Sequence, residues 1–458
     1  MLRIQLRTKR ILLLCIISFC FGCIILKIYQ SVRIINEVDT KKDYITIGVV
    51  GDLLFHKRNQ IQAFSRGSYK SIWEGVTHHF GKFDILLANY EGLSAKVERH
   101  SNETCSEVEG DAAERKEYGG VYRSWEFSES GRVNVFNYHP ILGRDLKESG
   151  FSLVSIANNH ILDLCDIGLQ QTMDILTEIG LPFIGAGRNL NNKGWYHITE
   201  HGNYKIAWVA CTMTTNQIHE TTSLLYCNNP IFPALISLLS RTYTVIAVVH
   251  GGKEYSYTPS KSLQNTVFSA VRAGAVLVLG NHAHTAQPIE VFRVHNRRAA
   301  VIWSIGNFIS HQGFGVFDDL PYNYNNPDVR KRSSGILEFR LKPFRSELND
   351  DSSTADLLEF GCFDYVPTCV VCQDQGGGVV EYYVEEVGDS GKCEVEGRWL
   401  RNVWGEWGEC RGLEERHELV SKWSEDFGKI KPQKMKRRGE GMCLKDDNVF
   451  NYDTRQFE

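Results

Sequence analysis

The chain has 458 residues, and its 42% hydrophobic content is ample for a core. A formal charge of −4, a pI near 6.4 and the lack of any broad basic face exclude a nucleic-acid binder. No internal repeat is visible.

The amino end is read first as a membrane signal. Arg3, Arg7, Lys9 and Arg10 precede an uncharged, mostly apolar run over 11–26, which Ile28 and Tyr29 extend past Lys27. A membrane span needs roughly 17–25 residues, and no small-x-small cleavage site follows. The expectation is a cytosolic tail (1–10), an uncleaved transmembrane signal anchor (11–29) and a polar linker (30–43). The positive-inside rule keeps the amino terminus in the cytosol and puts the main domain in an extracellular or lumenal space. Three of the 13 cysteines, Cys15, Cys20 and Cys23, lie in the apolar run; the other ten lie beyond it. An even number there suits an oxidising compartment and disulfides, with pairing unreadable from sequence. Cys369-Val-Val-Cys372 has the spacing of half a zinc site, but no second such pair exists beyond the apolar run, so a disulfide or buried thiol is preferred. Asn102-Glu-Thr104 is a glycosylation sequon, which fits a lumenal loop.

Taken in order, Tyr44 to Val50 is a β-rich run ending in Gly51-Asp52, and Phe83 to Ala88 ends in Asn89-Tyr90-Glu91. Residues 95–135 are charged and weakly periodic, the pattern of a long excursion over a site. Phe151 to Ile156 reads as a buried strand ending in Ala157-Asn158-Asn159-His160, followed by a helix over 168–179 carrying Leu169, Met173, Leu176 and Ile179 at helical spacing. A short strand follows at 182–187. Buried strands at 205–211, 245–249 and 275–279 come next; the second ends in His250-Gly251-Gly252 and the third in Gly280-Asn281-His282-Ala283-His284. A helix is expected over 260–273, with further strands at 289–294, 300–304 and 335–341. Alternating strands and helices in the first half predict parallel α/β units. The strand-rich stretch 275–341 predicts a second sheet packed on the first. Residues 346–356 are a polar insertion, and 373–458 a charged, cysteine-bearing extension with a closing helix over 417–427.

The chemistry gathers at the strand ends: Asp52, Glu91, Asn159, His160, His250, His282 and His284 are all oxygen or imidazole ligands or proton shuttles. Open α/β sheets place their chemistry at the carboxyl ends of strands. A bridging carboxylate holds two divalent cations about 3.5–4 Å apart with neutral imidazoles completing each shell. Mixed His, Asn and carboxylate shells suit Mn, Fe or Zn, without choosing among them. His282-x-His284 serves one site only if the loop twists. Glu254 and Tyr255, just past His250, either contact substrate, orient His250 or cap the next turn. Asp163 reads as a capping turn residue in preference to a ligand, and Asn307 as a structural residue in preference to one that shapes the site floor.

The motifs Gly51-Asp52, Asn89-Tyr90-Glu91, Ala157-Asn158-Asn159-His160 with Asp163, His250 through Glu254-Tyr255, Gly280-Asn281-His282-Ala283-His284 with Gln287, Ser304-Ile305-Gly306-Asn307-Phe308, and Asp364-Tyr365-Val366-Pro367 resemble, in that order, the capsule-synthesis (CapA/PgsA-like) family of poly-γ-glutamate makers. The resemblance covers residues 45 to 370. It implies an α/β calcineurin-like metallophosphoesterase fold, a four-layer sandwich of two mixed sheets flanked by helices, spanning 44–372. It also implies a membrane-anchored protein acting in synthesis or export of an anionic polymer, with other polymer-synthesis subunits as partners. Carried over residue by residue, Glu91 bridges two metals, Asp52 and His284 hold one, Asn159, His250 and His282 hold the other, and His160 is the general acid. Three features depart from the pattern. Position 54 is Leu where metallophosphoesterases carry a His, and His56 lies two residues further on. Glu91 stands where those enzymes usually carry Asp. Gly251 and Tyr90 replace the capsule family's usual Trp and Leu. Three functions stay open: a metallophosphoesterase-like site serving polymer synthesis, a phosphodiesterase or phosphatase unrelated to any polymer, and a non-enzymatic assembly subunit.

Overall fold

The computed structural model describes residues 44–100, 104–108, 122, 134–187, 193–217, 221–294, 297–314, 328–344, 357–376, 379–387 and 393–404. The expected tail, anchor and linker, Asn102 of the sequon, much of the 95–135 excursion, the 346–356 insertion and the helix expected at 417–427 lie outside the described residues. Among the described residues no helix is long and apolar enough to cross a membrane. The chain divides into Met1–Ile45 and a compact unit Thr46–Glu458, and it is the second unit that carries the sheets and the site.

In chain order the strands are β1 (Ile45–Leu53), β2 (Ile85–Tyr90), β3 (Val97–Arg99), β4 (Cys105–Glu107), β5 (Leu153–Ser155), β6 (Phe183–Ile184), β7 (Tyr196–His201) and β8 (Tyr204–Thr212). They continue with β9 (Thr244–His250), β10 (Ala275–Asn281), β11 (Ile289–Val294), β12 (Arg297–Ile302), β13 (Asn307–Ile309), β14 (Ser333–Pro343), β15 (Leu358–Gly376) and β16 (Val379–Glu386). The helices are α1 (Lys57–Arg66), α2 (Lys70–Trp73), α3 (Ile141–Glu148), α4 (Cys165–Ile179), α5 (Ile231–Leu239), α6 (Lys261–Ala273) and α7 (Glu394–Trp404).

Two mixed sheets carry the fold. One runs β16-β15-β14-β1-β2-β5-β6 with β13 also on β1; the other runs β11-β12-β10-β9-β8-β7. Each has a parallel centre, β1–β2–β5–β6 and β8–β9–β10–β12, bordered by antiparallel strands. The parallel cores follow from the strand–helix alternation of the sequence. The stretch 275–341 does not form a sheet of its own. β10 to β12 extend the sheet begun by β8 and β9, whereas β13 and β14 cross back to β1.

Burial explains which way the strand side chains point. Val245, Ala247 and Val249 of β9 pack with Phe232 and Ile236 of α5 and Val267 and Val271 of α6 in one apolar cluster. Side chains alternate along a strand, so Ile246, Val248 and His250 take the other face, and all three are buried as well. Helix α6 starts where its sequence signals it: Ser260 Oγ accepts from Leu263 N at 3.3 Å, and Gly274 at φ +113° ends it.

The carboxyl boundary expected at 372 moves. β15 runs through that position to Gly376, and β16 pairs along it. Trp404 of α7 donates from Nε1 to Gln287 O at 2.9 Å and lies edge-on to Tyr365, with ring centroids 5.2 Å apart. The residues up to 404 therefore belong to the domain. Their charged, glycine-bearing composition is that of an edge hairpin, which tolerates polar side chains. Disulfides join Cys105 to Cys165, Cys211 to Cys227 and Cys369 to Cys393; Cys362 and Cys372 are also disulfide-bonded. Residues three apart on a strand point to opposite faces, so Cys369 and Cys372 do not form half of a zinc site.

Candidate metal centre

The donors arrive from both sheets. Asp52 lies in register with Asn89 between β1 and β2, and His250 with Asn281 between β9 and β10. Gly51 makes the first placement possible. A Cβ there would stand 1.9 Å from Gly306 O, so only glycine lets β1 come close enough for Asp52 N to donate to Gly306 O at 2.9 Å. The twist that His282-x-His284 requires is present: both residues have left-handed backbone, φ +96° and +55°. Such conformations are costly for non-glycine residues and cluster at functional sites. Glu91 is anchored through its backbone, whose carbonyl accepts from the Tyr138 hydroxyl.

All seven strand-end residues are buried, and six of them converge around one carboxylate. Glu91 Oε1 stands 3.5 Å from His250 Nε2 and 3.7 Å from His284 Nε2. His284 Nδ1 lies 3.1 Å from Asp52 Oδ2 and 2.9 Å from Asn307 Oδ1. Both partners accept, so Nδ1 carries a proton and Nε2 faces Glu91. His250 Nε2 is 2.8 Å from Asn159 Oδ1, and the His250 and His282 ring centroids are 4.9 Å apart. Two donor sets result, Glu91–His250–His282 and Asp52–Glu91–His284; within each, one ligand atom per residue lies within 4.8 Å of the others. Glu91 belongs to both.

His160, the seventh, stands beside the centre. Its Nδ1 meets Asp163 Oδ2 at 2.8 Å, and Phe136 N donates to the same oxygen at 3.0 Å. Asp163 is therefore no capping residue: α4 starts two positions later, and its carboxylate is spent on holding His160. Asn216 Nδ2 approaches both ring nitrogens, at 3.2 and 3.4 Å. Glu254 is exposed at the rim, yet its charge reaches Glu91, His282 and His284. Tyr255 has φ +58° and its ring centroid is 5.9 Å from that of His284. His56 is not brought to the cluster. It sits at the start of α1 with Nδ1 3.1 Å from Leu54 O and its ring against Phe136. Burial, opposed by the bond to Leu54, lowers its pKa to about 3.

The electrostatics suit cations. Burial, then repulsion from Asp52, holds the Glu91 carboxyl well above its usual range. Burial, then the neighbouring imidazoles, pushes His250 well below its usual value and His282 to about 4, so both are neutral near pH 7, the ligand form. Burial opposes a charge on His284, but Glu91 and Asp52 overcome it and raise that residue to about 10. Glu91 Oε1 and His282 Nδ1 are buried without a hydrogen-bond partner. Orphaned buried polar atoms are costly unless something else satisfies them, and both belong to residues of the same donor set. Carboxylates, neutral imidazoles and an amide oxygen fit divalent Mn, Fe or Zn.

Three amides brace the site, two of them, Asn89 and Asn216, without having been expected there. Asn89 Nδ2 lies 2.7 Å from Asp52 Oδ1, 3.4 Å from Glu91 Oε2 and 3.3 Å from His250 Nδ1. Asn307 orients His284, and Asn216 braces Asn159 Nδ2 at 3.1 Å. Asn89 was within reach of sequence reasoning, since it alternates with Glu91 at a strand end. Asn216 had no such signal.

Among solved structures the chain is similar to a novel phosphatase from Mycoplasma pneumoniae at 11% identity and TM-score 0.37, covering 71% of this chain and 93% of that one. It is also similar to a putative 5'-nucleotidase from Staphylococcus aureus at 13% identity and TM-score 0.38, covering 83% and 58%. Likenesses this distant say nothing about chemistry. The chain is 27% identical over 212 residues to the capsule biosynthesis protein CapA of Bacillus anthracis, covering 43% of this chain and 46% of that protein. It is 26% identical over 203 residues to the PGA biosynthesis protein CapA of Bacillus subtilis, covering 43% and 49%. It thus covers about half the length of these curated relatives. The family profile "Bacterial capsule synthesis protein PGA_cap" matches residues 46–312, a span that holds every residue of the cluster from Asp52 to Asn307. With more than half of its length inside that match, the chain belongs to the PGA_cap family of bacterial capsule synthesis proteins.

Proposed function

We propose that the protein is a membrane-anchored, extracytoplasmic member of this family that acts in poly-γ-glutamate synthesis or export through a calcineurin-like, two-metal phosphoesterase site. The observation that carries the reading is Glu91, the one carboxylate common to two donor sets. Asp52, Glu91 and His284 would hold one divalent cation, and Glu91, Asn159, His250 and His282 the other. Such a pair supplies positive charge to a phosphoryl group and acidifies a water. The protein's own part is proton delivery and positioning. His160, held at Nδ1 by Asp163, can give a proton from Nε2 to the leaving oxygen, and Asp163 stabilises the imidazolium that precedes the transfer. Asn307 and Asn89 fix His284 and Asp52. The polymer, the anchor and the partner subunits rest on the motif resemblance, on the apolar run at 11–29 and on what the curated relatives are called.

Leu54, with His56 in neither donor set, favours a second reading, an assembly subunit that binds anionic polymer without turnover. The detergent-solubilised chain separates them by metal analysis and phosphodiester turnover. Two metals per chain, with hydrolysis of bis(4-nitrophenyl) phosphate that falls about 10²–10⁴-fold in His160→Ala, support the enzyme. Undiminished polymer production by cells carrying His160→Ala points to the assembly role instead.

A further inference from the structure

A further set of metal donors lies on the surface and shares no residue with the Glu91 centre. His78 and His79 belong to the 3₁₀ segment Glu74–Lys82, and Glu386 ends β16, the outermost strand of the first sheet. His79 Nε2 stands 2.9 Å and His78 Nε2 4.0 Å from the same carboxylate oxygen, Glu386 Oε2. The two imidazole centroids are 4.0 Å apart, and one ligand atom from each of the three residues lies within 4.8 Å of the others. The side chains of His78 and Glu386 are 64% and 44% exposed and that of His79 17%, so the set is open to water on one side.

The backbone alone does not produce this convergence. A 3₁₀ helix has 3.0 residues per turn, so neighbouring side chains leave its axis about 120° apart. Here both rings turn toward one oxygen of a strand residue 307 positions away. An ion pair does not call for the second ring. On the same strand Arg66 meets both oxygens of Glu381 through Nε and Nη2, at 2.8 and 2.7 Å, one cation to one carboxylate. At Glu386 one imidazole already reaches Oε2, and a second protonated ring 4.0 Å from the first adds like-charge repulsion. A shared cation removes that conflict, because each imidazole binds metal in its neutral form. Bonds of about 2.0–2.2 Å at tetrahedral angles separate ligand atoms by about 3.3–3.5 Å, and the observed 2.9 and 4.0 Å bracket that spacing.

We propose that His78, His79 and Glu386 form a zinc site that clamps the end of edge strand β16 to the segment 74–82. Two imidazoles and a carboxylate are donors that zinc accepts, with a fourth position left to water. The strand's outer edge is already held near its middle by α1, where Gln62 Oε1 accepts from Tyr382 N at 2.6 Å and Gln62 Nε2 donates to Tyr382 O at 2.9 Å. The segment 74–82 continues along that edge: a Cβ on Gly75 would stand 3.3 Å from Val384 O. Zinc fastens the strand's last residue, and an edge covered in this way is closed to pairing with another chain. The site does not depend on the two-metal reading of the Glu91 centre.

The test is zinc protection of His78 from diethyl pyrocarbonate, read by peptide mass spectrometry on the detergent-solubilised full chain. The exposed His201 is the control. At zinc 100 times its Kd about 1% of the site is free, so modification of His78 slows at least about tenfold while that of His201 is unchanged. His79→Gln and Glu386→Gln each abolish the protection and lower the zinc retained after dialysis by one ion per chain. Glu91→Gln, which weakens the other centre, leaves His78 protected. No slowing at His78, equal slowing at His201, or protection of His78 that survives either His79→Gln or Glu386→Gln overturns the site.

Discussion

Replacing Glu91 by Gln is expected to change stability in opposite directions with and without metal. Without a cation, Glu91 is fully buried, and its Oε1 is unpartnered. Its carboxyl is held above the usual range, so ionisation at neutral pH costs the folded state. Gln keeps the shape and removes the charge. Burying a charged group costs more than the roughly 1–3 kcal/mol of an unsatisfied neutral one, and Gln removes that charge while giving up its attraction to His284, so cation-free Glu91→Gln nets a gain on the order of 2 kcal/mol. At about 2.1 cal/mol/K of unfolding entropy per residue, a chain of 458 residues gains about 1 °C per kcal/mol, hence a melting temperature about 2 °C higher. Metal reverses the order. A cation at 100 times its Kd stabilises wild type by about 2.7 kcal/mol, whereas the variant, short of the donor common to both sets, gains little. The assay is calorimetric melting of both proteins in chelator and in excess Mn or Zn. A variant that melts at or below wild type in chelator, with an undiminished metal shift, would refute the argument that Glu91 is a shared ligand whose buried charge the cation-free fold opposes.

Other outcomes come from the same geometry. In the cation-free protein His284 is raised to about 10. A raised pKa gives stability that is complete below about 6.5 and is lost as pH climbs through 10; urea midpoints should fall over that window, and less steeply in His284→Gln. Asp163→Asn leaves Phe136 N an amide oxygen but frees the His160 tautomer, so phosphodiester turnover should drop about 10–100-fold, in line with the loss of groups that orient a catalytic or ligating His, at unchanged metal content. Phe232→Ala empties part of the α5 core. It should cost about 3–5 kcal/mol in denaturant unfolding, and metal stoichiometry should not change, because the cluster lies on the opposite face of β9.

The strand ends were legible because apolar runs stop abruptly at polar residues: Ala88 to Asn89, Ile156 to the Asn-Asn-His turn, Val249 to His250. Burial dictates both the run and the place where it stops. What holds the donors was less visible. Asn307 and Asp163 look like any turn residue, and their roles depend on where His284 and His160 come to lie in space. Asn216 reaches Asn159 from a loop 57 residues away, which no local pattern records. The partition of 275–341 between two sheets was also hidden, because crossing back to β1 is set by the approach of Gly306 to Gly51 and not by strand propensity. Likewise β15 and β16 carry the polar faces of an edge hairpin, which in one dimension resemble an extension.

The backbone at positions 282 and 284 narrows what evolution or an engineer can place there. Left-handed geometry is accessible to Gly, Asn and Asp and punishes β-branched or bulky replacements. Among side chains that bind metals, the tolerated swaps for either imidazole are thus carboxylate or amide, both harder ligands. Retuning this centre should therefore run toward oxygen-loving ions such as Mg or Mn, and away from thiolate-preferring ones.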